Sequence, residues 1–217
     1  MTDDRKSGTV LIAGSFGYII TMALHPVASH SLTVEQTQRL FTLSGAVHSI
    51  AMVSTLLLFL GACGLARRIA AADRLAFAGT VTFGFASVSI LVAAAVSGFV
   101  IPSIMKEMSR DASAAAHQWQ IVAAGIFQIN QALARMYSVG ASMAVILWSV
   151  SALRNGGFGR GVAAYGGIIS PLIILAIVSG RLRLDVHGMG AVAIAQGIWF
   201  ILVGSQLCSR PAGGISP

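Results

Sequence analysis

Apolar residues run along this chain in six long blocks, at 8–25, 43–66, 75–101, 129–153, 161–180 and 188–208, separated by short polar stretches. They are blocks, without the short alternating runs of half-buried strands. Each is close to the ~20 residues an α-helix needs to cross a bilayer core. The pattern predicts an all-α, polytopic membrane helix bundle: six transmembrane helices forming a single domain over 1–217.

Three blocks extend beyond what a membrane requires. Thr33 and Gln36 have capping-box spacing, and Glu35 and Arg39 are an i,i+4 pair, so the second helix is expected to begin near Thr33. Helical periodicity upstream of the fourth block continues through His117 and Gln128, which moves its start to about Ala114. Such a helix would be about 60 Å long at 1.5 Å per residue, roughly twice the hydrocarbon thickness, so it must protrude, tilt or break. Gly125 is the expected break. The third helix reaches toward Pro102. Together these make helical extensions on one side of the membrane, taken below as the outer side. Glycines inside the blocks, such as Gly14, Gly17, Gly166 and Gly167, allow close helix packing, and Ser170-Pro171 should kink the fifth span.

Composition fits this picture: 56% of the 217 residues are hydrophobic and only 10% charged, against about 25% charged in soluble domains. Lipid must then be the solvent for most side chains. The net charge of +7 lies mostly in short links, without the aromatic interleaving of a nucleic-acid surface, so no nucleic-acid partner is expected. Arg5, Lys6, Arg67, Arg68, Arg74, Arg154, Arg160 and Arg210 fall at one set of helix ends, against Arg39, Lys106, Arg110, Arg181 and Arg183 at the other. The positive-inside rule therefore places both termini in the cytoplasm of a cell with this protein in its inner membrane. Trp148 and Trp199, within a few turns of helix ends, are expected to anchor at headgroups. The first block, broken by Gly, Ser and Tyr, is expected to be a retained helix and not a cleaved signal. Cys63 and Cys208 make no CxxC pair and read as small apolar residues.

Five histidines map toward the outer side: His25, His30, His48, His117 and His187. Neutral imidazole ligates zinc, copper or haem iron, so haem or a transition metal is the cofactor class these residues suggest. Four of them sit at helix ends, where a polar ring is easily placed. His48 lies inside an apolar run, and an ionisable group there is a functional candidate by default. No HxxxH or HxH spacing strengthens the metal reading over simple hydrogen bonding.

A second feature is a polar stripe. His117, Gln120, Gln128, Gln131, Arg135, Ser138 and Ser142 follow helical spacing on one face of the fourth helix. Arg135 is the single charge inside a block, and its guanidinium suits an anion, quinone or lipid headgroup. Gln128, Gln131 and Gln196 would complete such a site. His48 and Arg135 lie at similar depth on helices running the same way, so a pocket shared between them is expected.

Lys6 and Lys106 are both outside the blocks, and no Asp or Glu lies within one, which argues against a retinal Schiff base and a carboxylate proton relay. No Walker A loop or GxSxG elbow occurs. The His25-Pro26 exit, the Asn130-Gln131-Ala-Leu-Ala-Arg135 start of the fourth span and the Gly-rich fifth and sixth spans resemble uncharacterised bacterial families of small six-helix membrane proteins. The resemblance implies a helical bundle and carries over no catalytic residue. With no complete catalytic constellation, the expected function is a non-enzymatic binder of a small ligand or lipid, or an accessory subunit working with other membrane subunits or as a homo-oligomer. The alternatives are a haem- or metal-binding redox protein using the outer histidines, and a small transporter using the Pro171 kink.

Overall fold

The computed structural model describes residues 3–26, 34–70, 73–110 and 115–209. All regular structure among them is helical: α1 (Asp3–Ala23), α2 (Val34–Ala70), α3 (Arg74–Ala95), a π-turn (Val96–Val100), α4 (Ile101–Arg110), α5 (Ala115–Asn155), α6 (Arg160–Val178) and α7 (Val186–Ser209). The π-turn joins α3 and α4 without interruption, so six rods result. Each packs on its neighbours in sequence, and α7 returns to α1, closing a ring. An even number of rods brings both termini to one end, where Cys208 Sγ reaches Arg5 O at 3.6 Å. The opposite end holds His25, the start of α2 and the α6–α7 link, and is called the histidine end.

Five helices are long and apolar enough to cross a membrane: Gln38–Ile69, Arg74–Met108, His117–Asn155, Arg160–Val178 and Val186–Ser209. Phe77, Phe85, Leu60, Leu175 and Val178 face outward from them, more than 60% exposed. An apolar outer surface of this kind suits lipid and not water. The first block is not among the five. Its helix is diluted by Gly, Ser, Tyr and Thr, and those residues form its packed face: Gly8, Gly14, Ser15, Tyr18 and Thr21 are buried. A Cβ on Gly8 would lie 2.5 Å from Gly204 O, and one on Gly204 only 2.8 Å from Gly8 O. This backbone approach of α1 and α7 is the small-residue packing that membrane helices use in place of a hydrophobic drive. Asp4 and Arg68 tie α1 to α2 at 3.4 Å.

The predicted extensions are present. Glu35 and Arg39 pair at 2.6 Å near the start of α2, while Thr33 lies outside the described residues. The fourth span corrects one expectation: α5 is one helix of 41 residues, unbroken at Gly125. Gly125 is exposed and its Cβ position is open, so no partner pulls the helix off its axis there. The helix runs on as a single rod instead. It ends at Asn155, where Gly156 and Gly157 turn the chain with φ of 79° and 112°, values that disfavour residues with a Cβ.

The tryptophans also depart from expectation. Trp148 and Trp199 are fully buried and stacked, centres 6.0 Å apart, inside a cluster with Phe83, Phe158 and Phe200. The headgroup rule applies to an indole whose N–H needs water. Trp148 meets that need inside, its Nε1 donating to Ala76 O at 3.1 Å, and Gly79 leaves the room for its ring; Trp199 Nε1 has no partner among the described residues, and its ring is held by packing against Trp148, Phe158 and Phe200.

At the terminal end, Asp73 caps α3 by accepting from Leu75 N at 3.0 Å. It also accepts from Ser151 Oγ and from Asn155 Nδ2, the latter at 2.8 Å, so one carboxylate joins the α2–α3 link to the end of α5. The Ser151 hydroxyl first, then the Leu75 N–H, hold this carboxyl below its ordinary 3.8. A depressed carboxyl stabilises the fold above its unfolded-state value and loses that contribution as pH falls through its folded one. Asp73→Asn should therefore melt below wild type at neutral pH. The gap should close as pH drops below about 3.9, in thermal scans of detergent-solubilised protein.

Candidate ligand-binding site

The site begins with Pro102. A proline inside a helix has no N–H, and its ring crowds the carbonyl four residues back, which here is Gly98. The chain answers by widening into the π-turn, in which Ile101 N–H donates to Val96 O, five residues back. The next bond in that register would run from residue 102 to Ser97 O, and Pro102 cannot give it. Ser44 Oγ on α2 donates to Ser97 O instead, at 3.3 Å. Ser97 Oγ in turn accepts from Asn130 Nδ2 on α5 at 2.9 Å. One irregular turn thus gathers polar groups from three rods.

His48 stands one helical turn after Ser44 and is buried. Its Nδ1 donates to Ser44 O at 2.7 Å, and Ser44 Oγ lies 3.4 Å from the same nitrogen. His25, just past α1, sets its Nδ1 3.2 Å from Pro26 O. A carbonyl oxygen only accepts, so each neutral ring carries its proton on Nδ1 and its lone pair on Nε2. The two rings meet nearly edge to face, centres 5.1 Å apart. Axial ligation of one haem iron by both would need centres about 6 Å apart with the macrocycle between them; the rings are too close for that. Gly98 makes the approach of α2 possible, since a Cβ there would sit 2.6 Å from His48 Cβ.

These groups lie along a cavity of about 410 Å³ at the histidine end. Its walls come from α1, α2, the π-turn region, α5 and the start of α7, and are mostly apolar: Tyr18, Met22, Val47, Ile90, Ala94 and Met189 among them. Polar atoms come from His25, His48, Ser44, Asn130, Gln131 and Asp185. A second cavity of about 280 Å³ lies beside it, lined by Gln128, Gln131, Arg135, Arg183 and Asp185 with Ile177, Gly180 and Leu182.

The expected pocket shared by Arg135 and His48 is thus divided. Arg135 is exposed and lines the second cavity; His48 is buried and lines the first. Gln131 lines both, and Gln128 only the second. The physical reason is helical phase: Asn130 and Ala134, beside Gln131, face the larger cavity and the π-turn, whereas Arg135 and Gln128 face the α6–α7 link. Gln196 belongs to neither. It is buried in the core, its Nε2 donating to Ser142 Oγ at 3.0 Å, which accounts for the inner part of the stripe. His117 and His187 are exposed and stand apart from the histidine pair. His30 lies outside the described residues. Among the described residues no cluster of three His, Cys, Asp or Glu forms. Reading the sequence missed Ser97, Asn130 and Arg183. Pro102, just past the end of the third block, was the available signal for the first two; Arg183 had counted only as link charge.

Comparison of the chain with protein-family models, curated proteins and solved structures gives no match. The reading of the site rests on its geometry.

Gly98→Ala should destabilise the protein by about 1–3 kcal/mol, the usual range for forcing atoms into packed space. Gly125→Ala serves as the contrast and should be neutral or stabilising by up to ~1 kcal/mol. Unfolding followed by tryptophan fluorescence in detergent reads both.

Proposed function

We propose that this chain is a six-span membrane protein that binds a small, mainly apolar ligand in the larger cavity at the histidine end. The observation that carries the reading is the cavity itself. Its volume of about 410 Å³ lies within the ~300–1,000 Å³ of small-molecule sites, and its few convergent polar groups on apolar walls are the usual composition of one. The π-turn supports it, because irregular helix at membrane depth is tolerated where it borders a cavity or is buried in protein. The sixth span is α1: it has 21 residues and is clasped between α2 and α7. Both termini are on the cytoplasmic side of an inner membrane, by the distribution of Lys and Arg.

The histidine pair favours a second reading. Two imidazoles holding one ion tetrahedrally through Nε2, at ~2.0 Å each, would set their centres about 5 Å apart, and 5.1 Å is observed. Met22, Met105 and Met189 line the same cavity and offer thioethers, the ligand type that selects Cu(I).

Photolabelling with a diazirine-bearing dodecanol tests the first reading. Peptides of α2 and α5 that line the cavity should carry the label, and Ala94→Phe, which fills the space, should cut it about tenfold. Labelling that is indifferent to Ala94→Phe would sink the cavity reading. Stoichiometric copper or zinc on the purified protein, absent from His48→Ala, would replace it with the metal reading.

Orientation has its own test. A cytoplasmic reporter after Asn155 should be active, and one between α4 and α5 silent, with an exported reporter giving the reverse. Exchange of the two patterns would invert the protein.

A further inference from the structure

We infer that the two cavities form one site for a single-chain anionic amphiphile, its charged head between Arg135 and Arg183 and its apolar chain in the larger cavity. The inference rests on the cavity reading above and adds the chemical class of the ligand.

Adjacency is the first observation. Phe127, Gln131, Leu184 and Asp185 line both spaces, so the two lie against one shared wall, and a ligand spanning them would pass those four side chains. Polarity is the second. The larger space is mostly apolar-walled, whereas the smaller one presents two guanidinium groups and the amides of Gln128 and Gln131. Among the described residues neither guanidinium has a carboxylate within 4.0 Å. Asp185 is the acid that lines these walls. Its carboxylate accepts from Gly188 N at 2.9 Å, and that backbone bond chiefly keeps its pKa low. It is therefore ionised and already engaged at the start of α7. Arg183 and His187 also act on it through space, and two guanidinium cations against one carboxylate leave the smaller cavity with net positive charge.

Depth is the third. The smaller cavity touches Ile177, Gly180 and Leu182, at and just past the end of α6. That is where a span meets water, the level at which an ionised head is least costly. The larger cavity runs from there toward Tyr18 and His48, inside the bundle. A planar fork of donors at the boundary matches a carboxylate or phosphate oxygen pair. Taken as one site, cavities of about 410 and 280 Å³ fall well inside the ~300–1,000 Å³ range of small-molecule sites, the size of a single ligand.

The test uses full-length protein in nonionic detergent and paired diazirine probes, dodecanoic acid and dodecanol. The acid should label the cavity peptides at about tenfold lower concentration than the alcohol, the worth of one charge-assisted contact. Arg135→Gln with Arg183→Gln should erase that preference and leave alcohol labelling unchanged. Both side chains are exposed, so the variant should fold, and its melting temperature checks this. Equal labelling by acid and alcohol in wild type, unmoved by the double variant, overturns the inference while leaving the cavity reading intact. No cavity labelling by either probe removes the cavity reading itself. Inorganic phosphate or acetate displacing the acid as well as dodecanoate does would mark a free-anion site, and would overturn the joined ligand.

Discussion

In a hydrocarbon solvent no backbone carbonyl can be left to water, and this bundle is arranged around one that its own helix cannot satisfy. Pro102 denies Ser97 O its donor, so α2 must come close enough for Ser44 Oγ to supply one. That approach fixes the separation of α2 from the π-turn and the phase of α2 about its axis. Phase then sets where His48 points, because it follows Ser44 by one turn. Asn130 on the Ser97 hydroxyl does the same for α5. An unsatisfied carbonyl in lipid costs several kcal/mol, more than any single contact around it contributes. The polar architecture of the histidine end follows from that inequality.

Elsewhere the bundle is held by fit. Hydrogen bonds between membrane helices average only about 0.6 kcal/mol each, so pairs such as Gln196 with Ser142 serve mainly to fix register. The larger contribution comes from close contact, through Gly8 against Gly204 and through the aromatic cluster at the centre of the ring. Trp148 and Trp199 fill the width that six rods leave between them. Rods that met only through small residues would collapse the ring; the stacked indoles prop it open. The cavity persists at the histidine end because that central filling lies toward the other end, on Trp148, Trp199 and Phe158.

The helical class, the block boundaries and the long extensions were legible from apolar runs and capping patterns, which are local. So was the singular position of His48, since one polar residue in an apolar run marks itself, and the structure buries it. What the pattern could not supply was azimuth. Arg135 and Asn130 lie within two turns on one helix, yet they face different cavities, and only packing against α2 and the α6–α7 link decides which. The tryptophans failed for a related reason. For Trp148 a rule about average placement of indoles yields to a specific carbonyl, Ala76 O, offered by a neighbour whose Gly79 makes room; Trp199 is drawn in by the stacked and edge-on rings around it, its N–H left without a partner among the described residues. The first helix looked weakest by hydropathy because its polar and small residues are the ones it buries.

The ring of rods has a consequence for the order in which the protein is made. Around the ring itself, every seam but one joins rods adjacent in sequence and is available as soon as the second of them leaves the ribosome. The exception is α1 with α7. Gly8, Ser15, Tyr18 and Thr21 shape a face for partners on both sides, and one of those partners, α7, is made only after all the rods between them. Until α7 arrives, half of that face of the first helix is uncovered, and a chain halted before 186 is left with an open seam.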